Sequence, residues 1–231
     1  MANTTATPVL LRRPAALTAA EVAALNGRFE AAHPTEVICW AVEAYGDDLC
    51  LTTSFSDTLL VDLAVAVDPD IEVVFLDTGL HFAETLDTLR RAMVRYELHL
   101  RVEHPDESAP DLFAVATEAC CAARKVAPLD RALAGRRAWL SGMRRDDHAG
   151  RSDTPIVQID RRGLVKVNPL AAWPAGEAEA YATERDIVLN PLIAEGYASI
   201  GCWPCTQRPT DDDARSGRWA GSTRQECGIH R

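Results

Sequence analysis

The apolar positions in the N-terminal half of the chain change between a helical repeat and the short continuous runs of buried strands. A capping box, Thr18-Ala19-Ala20-Glu21, precedes a helical pattern that continues to about Ala32. A second helix is predicted from Pro34 to Tyr45, where Gly46 ends it. Further on, apolar runs predict strands at residues 48–53, 71–76 and 97–102, with helices at 57–67 and about 81–95 between them.

The second half of the chain continues this alternation. Pro110 is predicted to open a helix that carries Cys120 and Cys121, and strands are predicted at residues 137–141 and 155–159. Strands that alternate with helices at this spacing predict an α/β fold, with a mainly parallel, twisted sheet and helices on both faces. Ligands bind beyond the carboxyl ends of the strands in such sheets. We therefore expect a site at the loops 54–57, 77–81 and 142–147.

The two ends of the chain do not follow this pattern. Residues 1–14 are interpreted as a frayed N-terminal tail. From about Thr206 the composition shifts to Thr, Asp, Arg, Gly and Ser, and Asp211–Asp213 form an acidic run. We therefore predict an α/β domain at residues 1–205 and a mobile C-terminal tail at residues 206–231.

Charge and hydropathy exclude some classes of protein. The net charge is −10, from 24 Lys and Arg against 34 Asp and Glu residues, which argues against a nucleic-acid partner. A small anionic substrate is still possible, because acidic groups beyond the Debye length of about 8 Å are screened from a local basic cluster. No apolar run reaches the roughly 18 residues of a membrane span, and residues 1–14 lack the order of a secretory signal. We expect a cytoplasmic protein with no membrane partner.

Cysteines are the most informative residues of the sequence. The chain has 7 of them, and an odd number without an export signal argues against a disulfide framework. Cys202 and Cys205 form a CxxC pair, and Cys120-Cys121 form a second pair, so that four thiolates could hold an iron–sulfur cluster or a tetrahedral zinc ion. Adjacent side chains on a helix diverge by about 100°, which favours a 4Fe-4S cluster over one zinc ion. A structural zinc site and a thioredoxin-like redox pair are the alternatives.

The remaining cysteines differ in their surroundings. Cys39 and Cys50 have apolar neighbours and are predicted to be buried and inert. Cys227 lies between Glu226 and Gly228 near the C-terminus, where it is either an accident of the tail or a functional thiol. A reactive thiolate there would need a nearby cationic group, because a free thiol titrates near about 8.5.

Basic groups lie near these cysteine motifs. They occur in Arg124-Lys125, in Gly142-Met143-Arg144-Arg145 and in Arg215-Ser216-Gly217-Arg218-Trp219. The planar guanidinium suits the oxygens of sulfate and phosphate, although each Arg could also be a solvated surface charge. Ser54-Phe55-Ser56-Asp57 precedes a helix and could cradle a phosphate, but it lacks P-loop glycines. Asp77-Thr78-Gly79 could bind a ribose or cap a helix.

Taken in order along the chain, these motifs resemble one family. They are Phe75-Leu76-Asp77-Thr78-Gly79-Leu80-His81-Phe82 with Glu84-Thr85, Cys120-Cys121-Ala122-Ala123-Arg124-Lys125 with Pro128-Leu129, Gly142-Met143-Arg144-Arg145-Asp146, Lys166-Val167-Asn168-Pro169-Leu170 with Trp173, Gly201-Cys202-Trp203-Pro204-Cys205-Thr206, Arg215-Ser216-Gly217-Arg218-Trp219 and Glu226-Cys227-Gly228-Ile229-His230. The set resembles the assimilatory adenylyl-sulfate (APS) reductases, within the phosphoadenylyl-sulfate (PAPS) reductase superfamily. The loop at Ser54 is shorter than the family's usual nucleotide loop, which leaves its contacts open.

The resemblance implies a role for each matching residue and an adenine-nucleotide alpha-hydrolase-like fold. By this resemblance Cys227 is the nucleophile. The implied ligands of a 4Fe-4S cluster are Cys120, Cys121, Cys202 and Cys205. The implied substrate-binding residues are Lys125, Arg144, Arg215 and Arg218 for the phosphosulfate, Ser54, Phe55, Asp77 and Gly79 for the nucleotide, and His230 for placing the tail.

The resemblance also implies a reaction and its partners. Adenylyl sulfate would be reduced to sulfite and AMP through an S-sulfocysteine, with thioredoxin or a glutaredoxin-like protein as reductant. A PAPS reductase or a dual APS/PAPS reductase is the alternative, and a homo-oligomer is possible. Two rival classes are an ATP pyrophosphatase-type adenylyltransferase, whose SGGxDS loop is missing, and a zinc-stapled nucleotide-binding module.

Overall fold

The computed structural model describes residues 16–109, 112–210, 213, 215–219, 224 and 226–230. The predicted N-terminal tail at residues 1–14 and the predicted helix start at Pro110 lie outside these residues. So do parts of the predicted C-terminal tail, including two residues of the acidic run at 211–213.

Helices and strands alternate along the described chain. The helices are α1 (Ala19–Phe29), α2 (Pro34–Tyr45), α3 (Leu59–Val67), α4 (Ala83–Tyr96), α5 (Thr117–Cys121), α6 (Ala127–Ala132), α7 (Ala175–Glu184) and α8 (Pro191–Ala194), and a π-helical turn (Ala122–Val126) joins α5 to α6. The strands are β1 (Leu49–Thr53), β2 (Val73–Leu76), β3 (Leu100–Glu103), β4 (Ala138–Ser141), β5 (Val157–Ile159) and β6 (Val165–Val167). None of the helices in the described part of the chain has both the length and the apolar character that crossing a membrane requires.

The strands form one sheet in the order β3-β2-β1-β4-β6-β5. All neighbouring pairs are parallel except β5 and β6, which form an antiparallel hairpin at one edge. The strand order reverses direction at β1, whose neighbours are β2 on one side and β4 on the other. Such a switch point leaves a crevice beyond the carboxyl ends of the strands, where ligands bind in open α/β sheets.

Successive residues of the central strands face opposite sides of the sheet. Leu51 and Leu140 belong to the larger apolar core, which includes residues of α2 and α3. Cys50 and Trp139 instead pack with Leu129 of α6 on the other side. Helices therefore cover both faces, and the predicted fold class is confirmed.

Several predicted boundaries change for local reasons. The helix that carries the cysteine pair begins at Thr117. The strand predicted from residue 97 begins at Leu100, because Glu97 has a left-handed backbone at φ 50° that ends α4. The predicted strand at 155–159 is the antiparallel edge strand β5, and its partner β6 is a three-residue strand that we did not predict.

Two further cysteines lie away from the carboxyl edge of the sheet. Cys50 is fully buried on β1, and burial raises the pKa of its thiol to about 12. Cys39 on α2 is only half-buried, so the prediction that it is buried was wrong. Its place on α2 leaves the residue partly open to solvent.

Candidate active site

A cavity of about 440 Å³ opens at the carboxyl ends of the parallel strands. Thr53, Leu76 and Ser141, the last residues of β1, β2 and β4, all line it. The predicted site residues that line the same cavity are Ser54, Lys125, Arg144, Arg215, Arg218, Cys227 and His230. The fold thus brings the Cys227 thiol together with four cationic groups from three separate segments.

Cys227 lies in the wall of this cavity with only 7% of its surface exposed. It packs in one apolar cluster with Cys121 and Trp219. The next residue, Gly228, has φ +93°, a left-handed conformation that glycine adopts without a steric penalty. Cys227 and His230, on either side of this glycine, both line the cavity.

A turn at residues 215–219 carries two guanidinium groups to the cavity. The Nη1 atoms of Arg215 and Arg218 each lie 3.3 Å from Ser199 Oγ. Both groups also face the Trp219 ring, at 5.6 and 4.5 Å from its centroid. Burial lowers the pKa of both Arg215 and Arg218, yet a guanidinium remains charged in proteins. The turn therefore presents two cations that are partly stripped of water.

Two glycines allow this turn to pack. A Cβ on Gly217 would lie 2.1 Å from the carbonyl oxygen of Gln207, so the close approach of the two backbones requires glycine. A Cβ on Gly201 would lie 2.3 Å from Nη2 of Arg218. Gly201 therefore leaves the space that the Arg218 guanidinium occupies.

Lys125 reaches the cavity from the π-helical turn Ala122–Val126. Burial opposes its charge, but the thiolate forms of Cys202 and Cys227 more than offset this effect and raise the pKa of Lys125. A π-helical turn has one more residue per hydrogen-bonded loop than an α-helix, and such turns recur at functional sites. No pattern in the sequence indicated it.

Arg144 follows β4 and lines the cavity on the side of the Ser54 loop. Its Nε donates to Asp147 Oδ1 at 3.2 Å. Burial opposes the charge of Arg144, but Asp57 and Asp147 outweigh this effect and raise its pKa. The positive charge of Arg144 is therefore partly balanced by the carboxylates of Asp57 and Asp147.

The two cysteine pairs approach each other beside the cavity. Cys120 and Cys202 pack in one apolar cluster with Leu80, while Cys205 packs against the cluster that contains Cys121. Thr78 Oγ1 lies 3.3 Å from Cys202 Sγ. Among the described residues no group of three or more His, Cys, Asp or Glu side chains is close enough to hold a single metal ion.

This arrangement is a test of the predicted cofactor. A 4Fe-4S cluster takes one thiolate at each of its four irons, so its ligands need not converge on one point as the ligands of zinc do. Four soft sulfur donors in two neighbouring pairs fit such a cluster.

The Ser54 loop is held in an unusual conformation. Phe55 has a left-handed backbone at φ 51°, which is rare for a bulky residue and marks a constrained position. Its ring does not line the cavity; it is fully buried and packs against Phe75 with 5.5 Å between ring centroids. Asn190 Nδ2 donates to the Phe55 carbonyl oxygen at 3.3 Å. Phe55 thus anchors the loop, and the neighbouring Ser54 and Ser56 line the cavity.

Asp77 and Gly79 also lie outside the cavity lining. Asp77 Oδ1 accepts a hydrogen bond from the Gly79 N–H at 2.9 Å, and Gly79 has φ +71°. The carboxylate therefore closes its own turn rather than capping α4, which begins at Ala83. The turn also places Thr78 next to Cys202.

Glu226, which precedes Cys227, contacts three basic side chains, and two of them, Arg151 and His148, we did not predict as site residues. Its Oε1 accepts from Arg151 Nε at 2.6 Å and from His148 Nε2 at 3.3 Å. Its Oε2 lies 3.6 Å from Arg215 Nη2. His148 Nδ1 accepts from the Gly150 N–H at 3.1 Å, so Nε2 is the nitrogen that carries the proton. No sequence motif indicated Arg151 or His148.

His230 follows Cys227 by three residues, on the other side of it along the chain from Glu226. Its ring stacks on Trp139, with an interplanar angle of 7° and 6.4 Å between centroids. Lys166 Nζ lies 3.2 Å from His230 Nδ1 and 5.0 Å from the Trp139 centroid. Burial and the charge of Lys166 hold the pKa of His230 well below its ordinary value. Lys166 appears in a family motif, but we did not predict it as a site residue.

Comparison with known proteins agrees with this geometry. Residues 49–208 match the family model of the phosphoadenosine phosphosulfate reductase domain. A Streptomyces coelicolor protein named adenosine 5′-phosphosulfate reductase is 43% identical over 87% of this chain and 89% of its own length. A protein of the same name from Mycolicibacterium smegmatis is 40% identical over 98% of each chain.

A solved structure adds the fold. The crystal structure of phosphoadenylyl-sulfate reductase from Candida auris, as a phosphate complex, superposes with a TM-score of 0.72 and 28% identity. It covers 81% of this chain and 96% of that one. The chain therefore belongs to the phosphoadenosine phosphosulfate reductase family, whose enzymes are oxidoreductases that act on sulfur groups. The resemblance drawn from the sequence motifs is confirmed.

Proposed function

We propose that the protein reduces adenylyl sulfate to sulfite and AMP, with a dithiol protein as reductant. One observation carries the proposal: the thiol of Cys227 lines a cavity together with Lys125, Arg144, Arg215 and Arg218. The names of the relatives that match over most of the chain favour adenylyl sulfate as substrate. PAPS, or both nucleotides, is the alternative that a substrate comparison would reveal.

In the first step the Cys227 thiolate attacks the sulfur of adenylyl sulfate. The bond between sulfur and the bridging oxygen breaks, AMP leaves with its electron pair, and Cys227 carries an S-sulfo group. Lys125, Arg144, Arg215 and Arg218 neutralise charge on the bridging and phosphate oxygens as that bond breaks. Ser54 and Ser56 lie at the carboxyl end of β1, where their hydroxyl groups are available to the nucleotide.

In the second step a dithiol of the thioredoxin or glutaredoxin type attacks Sγ of Cys227. Sulfite leaves with the electron pair of the sulfur–sulfur bond, and a mixed disulfide forms. The second thiol of the reductant resolves that disulfide, transfers its proton and frees the Cys227 thiol. Because Cys227 is only 7% exposed, we propose that the segment at residues 226–230 moves away from the cavity for this step.

We also propose that Cys120, Cys121, Cys202 and Cys205 hold a 4Fe-4S cluster. The two neighbouring pairs and the hydroxyl of Thr78 beside Cys202 support this ligand set. When bound there, the cluster would supply a charged group beside Lys125 and join the α5 segment to the loop at residues 202–205. Both electrons of the reaction come from the dithiol of the reductant.

The nucleophile is tested by trapping its adduct. We expect anaerobic protein treated with ³⁵S-labelled adenylyl sulfate, without reductant, to carry the label on Cys227 and to release it as sulfite when reduced thioredoxin is added. Cys39→Ser is the matched control, because Cys39 is a half-buried cysteine on α2 away from the cavity. A Cys227→Ser protein that still turns over, or a label on another cysteine, would show that the nucleophile is misassigned.

The cofactor and the nucleotide need separate measurements. Anaerobically purified protein should contain iron and acid-labile sulfide, and Cys202→Ser should lose both while Cys39→Ser keeps them. Stoichiometric zinc in place of iron would end the cluster proposal. Initial rates with adenylyl sulfate and with PAPS, at matched concentrations, then decide between the two substrates.

A further inference from the structure

Two contacts hold Cys227 in place, one on each side of it along the chain. One residue before it, Glu226 binds the loop that follows β4. Three residues after it, His230 binds side chains of β4 and β6. We propose that Glu226 and His230 form a two-point latch that closes the tail over the cavity, with Arg151 and Lys166 as the positioning residues that receive it. The inference rests on the proposed function only in so far as it concerns the timing of the two steps.

The first point of the latch is a charge-assisted contact. Arg151 Nε and Nη2 both lie 2.6 Å from Glu226 Oε1. Arg151 is buried, and its Nη1 pairs with Asp147 at 2.5 Å. A guanidinium fixed in this way holds the carboxylate with little loss of side-chain freedom. Because Glu226 and Cys227 are neighbours, this contact restricts where the thiol can lie.

The second point is a stacked imidazole with one defined hydrogen-bonded nitrogen. Lys166 is only 1% exposed, and its Nζ also contacts Met143 Sδ at 3.1 Å. Since Lys166 donates to Nδ1 of His230, the other ring nitrogen carries the proton. The flat stacking on Trp139 fixes the ring plane. Lys166 therefore positions His230, and through it the segment that contains Cys227.

The contacts of Glu226 and His230 favour the first step of the proposed reaction and oppose the second. The attack on adenylyl sulfate needs the thiol inside the cavity, so a closed latch favours it. The attack of a dithiol protein on Sγ needs the thiol outside, so the latch must open. Arg215 contacts the first point and also lines the cavity, which links the latch to the anion that the cavity binds.

The test measures how often the latch opens without any substrate. The cluster-loaded protein is treated with iodoacetamide, and mass spectrometry follows alkylation of Cys227 relative to Cys39 in the same sample. We expect Arg151→Met, Lys166→Met and Glu226→Gln each to raise the relative rate for Cys227 roughly tenfold, the factor for one lost charge-assisted contact. Arg145→Met is the matched control, because Arg145 lies in the same loop but pairs with Glu30 away from the cavity.

A double variant separates the latch from a general loss of structure. The rise in alkylation rate for Arg151→Met with Glu226→Gln should be smaller than the product of the two single rises, because the two changes share one contact while Glu226→Gln also weakens the contact with Arg215. If Arg151→Met does not fold, Glu226→Gln still tests the first point, since it alters only the tail. Wild-type alkylation rates in all three single variants would overturn the latch, and so would an equal rise in Arg145→Met.

The same variants distinguish a failed latch from a failed function. Single-turnover labelling from adenylyl sulfate should be slower in Arg151→Met, while release of sulfite by thioredoxin from the labelled protein should not be slower. Faster alkylation of Cys227 in the variants would support the latch. If adenylyl sulfate at the same time failed to label the wild-type protein, the proposed reaction would be refuted. Normal labelling with unchanged alkylation would leave the reaction standing and refute the latch.

Discussion

Gly201→Ala tests whether the position of one guanidinium controls the activity. A Cβ at residue 201 would lie 2.3 Å from Nη2, 2.6 Å from Cζ and 2.9 Å from Nη1 of Arg218. Non-bonded heavy atoms settle at roughly 3.5 Å or more, so the guanidinium must move by about 1 Å. Because these atoms end a flexible side chain, we expect the guanidinium to move and the backbone to stay in place.

The expected fall in activity of Gly201→Ala follows from the contacts of Arg218. Its Nε donates to the Cys205 carbonyl oxygen and its Nη1 lies beside Ser199 Oγ, both at 3.3 Å. A charge-assisted hydrogen bond contributes about 1.5–3 kcal/mol, and a displacement of about 1 Å in a preorganised site costs up to roughly a hundredfold in rate. We therefore expect kcat/KM for adenylyl sulfate to fall roughly 10- to 100-fold.

The assay is the initial rate of sulfite release with reduced thioredoxin, and circular dichroism and iron content report on folding. Gly142→Ala is the matched control: it also lines the cavity, but its Cβ would lie at an ordinary 3.9 Å from Leu60 Cδ2. A Gly201→Ala enzyme that keeps more than about half of the wild-type kcat/KM would refute the reasoning. An equal loss in Gly142→Ala would refute it as well.

Three further predictions concern buried groups. Phe55→Ala should lower the free energy of unfolding by about 3–5 kcal/mol, because its buried ring packs on Phe75; an unchanged urea midpoint would contradict this. The His230 imidazole should remain neutral with its proton on Nε2 at pH 6.5, since its pKa lies well below that value; ¹⁵N NMR shifts that titrate at or above pH 6.5 would exclude it. Burial lowers the pKa of Lys166 from 10.5 to about 8, so the unfolded chain binds that proton more tightly, and the penalty is present below pH 8 and relieved as the pH rises to 10.5. Relative to Lys166→Met, the wild type should gain up to about 3 kcal/mol over this range, and urea midpoints that run parallel would refute it.

Much of the fold follows from local patterns. The capping box at Thr18 is formed as predicted, and Gly46 ends α2 with a positive φ of 49°. These signals act through residues that are neighbours in the chain, so the sequence carries them directly. β6 is the counter-example: it has three residues, and only its pairing with β4 and β5 makes it a strand.

In the candidate site, too, some features follow from local sequence patterns and others do not. The cysteine pairs and the Arg215–Arg218 motif are recognisable as residue types at short spacing, and the cavity contains both arginines. Phe55 stands in the same motif as Ser54, yet its left-handed backbone turns the ring into the core. A residue's presence in a motif therefore did not say which way its side chain points.

The sequence by itself determined the α/β alternation, the family and the residues able to do sulfur chemistry, because each depends on spacing within short segments. Only the tertiary structure decided that Glu226 meets Arg151, which lies 75 positions earlier, and that His230 rests on Lys166. Contacts between such distant segments depend on how the sheet orders its strands and where the tail crosses their carboxyl ends. No local pattern encodes that geometry, since it arises from packing the whole domain.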